Sequence, residues 1–152
     1  MSRTPTKSRP LGGSVSVSLY SNRASEAISQ GEYQSAIKYY ELALKDYLTD
    51  SATVVELVNA AATCFNLGAL YKKLQDYHQA VDFFCQAEDL YRTCSEKVED
   101  HCAKQGQQST SSSSSCKICL IELIAETLQA RAHLIININA GSTALFNVMK
   151  KF

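Results

Sequence analysis

The residues best suited to chemistry flank a serine run: His101-Cys102 precedes it and Cys116-x-x-Cys119 follows. Imidazole nitrogen and thiolate sulfur are the ligands a tetrahedral zinc ion takes, and two cysteines a helical turn apart can share one ion. The spacing between the two pairs matches no recognised zinc finger. Cysteine is equally a small apolar core residue, and Cys64, Cys85 and Cys94 show the chain using it freely. A zinc-binding or redox-sensitive regulator built on His101, Cys102, Cys116 and Cys119 is therefore the alternative reading. The main reading expects no metal and no cofactor.

Catalysis asks for a nucleophile or a proton carrier beside a second group that activates it. His78, His101 and His133 are dispersed, and none stands in a signature with a Ser, Cys or carboxylate. No enzyme is expected, and the plain role of such histidines is on helix surfaces. Gly12-Gly13 lacks the glycine pattern of a phosphate loop. Lys72-Lys73 is a basic pair with two readings, a solvated pair or the rim of a binding surface.

These residues belong to a chain of 152 residues whose 15 basic and 15 acidic side chains cancel. That length supports one domain with a sizeable core, and the zero balance gives no reason to expect nucleic acid or an anionic membrane as partner. The polar start, "MSRTPTKSRPLGGSVSVSLY", lacks the apolar stretch of a signal peptide. The longest uncharged run, Ala132 to Met149, carries His133, Asn137, Asn139, Ser142, Thr143 and Asn147, which would be costly in hydrocarbon. A cytoplasmic protein with six reduced cysteines is the expectation.

The elements that must position these side chains are helices. Val17, Tyr20, Ala24, Ala27 and Ile28 recur in steps that place them on one helix face, and Gly31 ends the run. Tyr33, Ala36, Ile37, Tyr40, Leu44 and Tyr47 start a second helix at once, so the pair must form an antiparallel hairpin. Thr53 with Glu56 has the form of a capping box for a third helix near Val54, and Asp76 with Gln79 can cap a fourth. The second hairpin repeats the first: Tyr33 and Tyr77, Ala36 and Ala80, Tyr40 and Phe84, Ala43 and Ala87 each stand 44 residues apart. In such an array each alanine leaves room for a ring from the neighbouring helix.

Leu67-Gly68, Tyr71, Ala80, Phe84 and Ala87 fall on the motif of the tetratricopeptide repeat, which this stretch resembles. Ala36, Tyr40 and Ala43 fit it in the first hairpin, where Arg23, Ala24 and Ala27 replace the Leu, Gly and Tyr. The 44-residue period is longer than the usual ~34 and is similar to the Leu-Gly-Asn repeat adaptors among the long-repeat members. The resemblance spans about residues 15 to 94. It implies an all-α solenoid of stacked antiparallel hairpins and a non-catalytic adaptor or scaffold that takes a peptide of a protein partner in its concave groove. Projected from the motif, the groove receives Ser21, Asn22 and Ser25 from the first repeat and Phe65, Asn66, Ala69, Lys72 and Lys73 from the second. Chaperone-binding members clamp a terminal carboxylate with Lys and Asn where this chain has Ser21 and Ser25, so that specificity is not expected.

The expected organisation is a disordered tail over 1–13, two hairpins over 14–103, a Ser-rich flexible linker over 104–115 and a partial or altered third hairpin over 116–152. In the last segment "HLIININAGSTALF" departs from the repeat motif, and a short closing helix is expected from about Thr143.

Overall fold

The computed structural model describes residues 13–104 and 110–150, with side-chain surroundings given for 19–100, 103–104, 117–143 and 149–150. The tail expected over residues 1–13 lies, but for Gly13, outside the described residues. Those described are all-helical, in five elements: α1 (Gly13–Ser29), α2 (Tyr33–Tyr47), α3 (Val54–Lys73), α4 (Tyr77–Lys104) and α5 (Thr110–Met149). The chain divides into two compact units, Met1–Asp46 and Tyr47–Phe152.

In the first unit α1 ends in a Schellman motif. Gly31 takes φ +77°, its N–H donates to the Ile28 carbonyl at 3.0 Å, and the Glu32 N–H donates to the Ala27 carbonyl at 2.8 Å. Ala24 and Ala27 of α1 and Ala36, Ile37, Tyr40 and Ala43 of α2 are buried. A shallow polar cleft is lined from both helices by Arg23, Glu26, Ala27, Gln30, Glu32 and Tyr39.

The second unit opens with the capping box. Thr53 Oγ1 accepts the Glu56 N–H at 3.3 Å, and Glu56 Oε2 accepts the Thr53 N–H at 2.7 Å. Helix α3 buries Leu57, Ala60, Ala61, Cys64, Leu67, Gly68 and Leu70. It is long and apolar enough to cross a membrane by length and composition, the same properties that a core helix has. It closes in a second Schellman motif: Gln75 donates to the Lys72 carbonyl at 3.1 Å and Asp76 to the Tyr71 carbonyl at 3.0 Å. These bonds are those of the first hairpin displaced by 44 positions, so the sequence repeat is also a repeat of backbone geometry. At the site of Gly31, however, stands Gln75, in the left-handed region at φ +63°. Asp76 Oδ1 then accepts the Gln79 N–H at 3.3 Å and starts α4 as its spacing predicts.

Helix α4 packs against both α3 and α5. Close approach to α3 rests on Gly68, where an added Cβ would lie 2.8 Å from two ring carbons of Phe84. Ala80 and Phe84 of α4 and Leu134 of α5 form a buried cluster, with Phe65, Tyr71, Val81, Ala130 and Ile138 packed around it.

At the C-terminal end the structure departs from the expected organisation. Helix α5 is one element of 40 residues, continuous through Gly141, where no closing helix separates off. Residues 110–115 of the expected linker are helical, while 105–109 lie outside the described residues. Serines are tolerated in a helix, and an added Cβ at Gly141 would meet nothing within 4 Å, so no packing constraint forces a turn there.

Candidate functional site

Burial on α3 is one-sided. The buried stripe includes Gly68, which packs on Phe84 of α4, and Val55, Asn59, Asn66, Ala69, Lys72 and Lys73 are exposed. Their spacing of three and four residues sets most of them along one helix face, a strip that combines a large apolar contact, two amides, a small flat position and a basic end. Val55 is 69% exposed. An exposed amide carries both a donor and an acceptor, the pair needed to bond a peptide backbone, while an exposed ammonium adds attraction at a distance for acidic side chains.

Four of the five groove residues expected from the second repeat, Asn66, Ala69, Lys72 and Lys73, lie exposed. Phe65 is spent otherwise. Its ring is half-buried, with its centroid 5.3 Å from that of Phe84 at 59°, and it packs on the cluster that α5 completes. Val55 is the apolar residue that the strip offers instead, and the repeat motif gave no signal for it, nor for Asn59. In the first unit Asn22 and Ser25 are exposed and Ser21 is half-buried. The Ser25 hydroxyl donates to the Ser21 carbonyl at 3.1 Å, so its proton is engaged within its own helix.

The residues expected to pack the repeats are mostly buried. Ala36, Tyr40, Ala43, Leu67, Gly68, Ala80, Phe84 and Ala87 are buried. Tyr71 is half-buried and stacks on Phe83, centroids 5.4 Å apart and planes 9° from parallel.

A charged cluster that motif reasoning missed links α4 to α5. Glu88 is 7% exposed, and its Oε1 accepts from Arg92 Nε at 3.0 Å and from Nη2 at 2.9 Å. Its Oε2 lies 2.6 Å from Arg131 Nη1 of α5, an ion pair whose angle falls outside that of a hydrogen bond. The same Arg131 nitrogen donates to Cys85 Sγ at 3.3 Å, a bond that raises the Arg131 pKa. The available signal was a carboxylate four residues after Phe84 on the buried stripe, since a buried carboxylate needs a cation.

Of the alternative zinc ligands, Cys119 is exposed, and the side chains of His101, Cys102 and Cys116 lie outside the described residues. Among the described residues no group of three His, Cys, Asp or Glu side chains could hold a metal ion. Burial pushes the Cys64 thiol up to about 11 and also raises Cys94, against a lowering influence from Lys97. Neither is thereby a ready nucleophile, because the thiolate is the reactive form.

A family model described as "Uncharacterized protein conserved in bacteria (DUF2225)" matches residues 14–136. No curated protein and no solved structure matches the chain.

Proposed function

We propose that this chain, which belongs to the DUF2225 family, is a non-catalytic, cytoplasmic protein–protein interaction module that works as an adaptor or scaffold in the manner of tetratricopeptide repeats. Its ligand is an extended segment of a protein partner, and the exposed strip of α3 is the surface that takes it. The observation that carries this reading is the division of labour on α3. One face is packed through Gly68 onto Phe84, and the other leaves Asn66, Ala69 and Lys72 exposed. The matched Schellman turns support it further, since stacked repeats require each hairpin to close with the same geometry.

On this reading Asn66 bonds the peptide backbone, Val55 meets an apolar side chain and Lys72 with Lys73 draws in acidic residues. Affinity is modest and falls with salt, as expected where exposed charges act mainly on encounter. The test is selection of binders from a displayed random-peptide library. Their affinities are then measured for the wild type and for an Asn66→Ala, Lys72→Glu variant of matched helicity. Acidic peptides bound about tenfold more weakly by the variant support the assignment. Equal binding to both proteins places the surface elsewhere and overturns it.

A further inference from the structure

A helix that is apolar on both sides needs a neighbour on each, and among the described residues α5 is packed on one side only. Leu120, Thr127 and Leu134 are buried on the face that meets α4. On another face Ile118, Ile121 and Ile135 are 56%, 61% and 41% exposed, and Ile136 is 62% exposed. Ala125 and Ala132 are also exposed and Leu128 is half-buried. Ile118, Ala125 and Ala132 recur every seven residues, as do Ile121, Leu128 and Ile135, and together they make the two-position seam of a heptad repeat.

We infer that this seam docks a second copy of the same helix, antiparallel, to form a homodimer through α5. The order of large and small residues chooses both the occupant and the direction. In antiparallel packing the two seam positions face one another, so Ala125 meets Leu128, Ala132 meets Ile121, and Ile118 meets Ile135 of the other copy. Every alanine lies opposite a large aliphatic side chain. A parallel pair would set Ala125 on Ala125 and Ala132 on Ala132, leaving gaps in two layers. The antiparallel register also brings Glu122 opposite Gln129, so no like charges meet across that flank.

The seam is about 27 Å long at 1.5 Å per residue on a helix ~10 Å wide. Pairing it buries on the order of 1,000 Å² in all, the lower bound for a specific interface, so the dimer is weak and depends on concentration. This surface lies on α5 and the proposed peptide strip on α3, so each can fail without the other.

The experiment is sedimentation equilibrium of the full chain from about 1 to 200 μM. The wild type should pass from monomer to dimer over that range. An Ile121→Glu, Ile135→Glu variant with unchanged helicity should stay monomeric. Gln129→Lys should tighten the dimer several-fold at low salt by pairing with Glu122, and Gln129→Glu should weaken it. A wild type that is monomeric throughout overturns the dimer. A dimer indifferent to both Gln129 substitutions overturns the antiparallel register.

Discussion

Gly68 has no side chain, and the Phe84 ring fills the space where one would begin. Phe84 is 2% exposed and cannot swing clear, so Gly68→Ala overpacks the α3–α4 contact. We expect a net loss of up to about 2 kcal/mol, because overpacking of roughly 1–3 kcal/mol is offset by the ~1 kcal/mol that alanine gains in helix propensity. Gly68→Leu should lose more. Thermal melts check both, and Gly68→Ala combined with Phe84→Leu should recover part of the loss. Arg131 presents the converse case, a side chain whose removal strands a partner. Arg131→Met leaves Glu88 with Arg92 alone, and we expect about 2–3 kcal/mol of destabilisation in urea, less than the 3–5 kcal/mol of a fully buried pair. The Cys64 thiol is held neutral by burial, its pKa raised from 9.0 to about 11. The folded state thus keeps a proton that the unfolded chain releases above pH 9, so stability falls as pH rises from 9 to about 11. Cys94 and Tyr91, both also raised mainly by burial, act in the same direction. In a series of melts across that range Cys64→Ala should show a shallower decline than the wild type.

At the scale of the element, the turn after α3 holds a conflict between sequence and geometry. The Schellman motif needs a left-handed residue at its end, which Gly31 supplies in the first hairpin and Gln75 must adopt in the second. A non-glycine residue pays about 1–2 kcal/mol there, part of which glycine returns through its freer unfolded state. Gln75 is exposed, so its side chain buries little packing area. We therefore expect Gln75→Gly to raise the melting temperature by a few degrees, roughly the shift of 1 kcal/mol in a chain of this size. No rise would mean that the Gln75 side chain stabilises the turn by as much as its backbone loses.

For the whole molecule, the second unit contains its own core. The cluster of Ala80, Phe84 and Leu134 draws on α3, α4 and α5 alone. A fragment of residues 47–152 should thus melt cooperatively with its helicity retained. Residues 1–46, close to the ~40-residue size below which a chain rarely folds unaided, should show little helix alone. Circular dichroism of the two fragments tests this, and a non-cooperative melt of 47–152 would mean that its core depends on the first unit.

Local signals determined the first four helices, the capping residues Thr53 and Asp76, the 44-residue recurrence and most of the buried positions, because caps and helical periodicity act over a few residues and are written in their types. Nothing local distinguishes Phe65 in a groove from Phe65 against Phe84, since an aromatic ring suits both, and only the arrival of α5 assigns it to the core. Glu88 and Arg131 stand 43 residues apart on different helices, and their pairing follows from the packing of α4 on α5. The continuity of α5 through Gly141 was hidden for a related reason: glycine weakens a helix without forbidding it, so whether the chain turns there is decided by what the rest of the molecule offers to pack against.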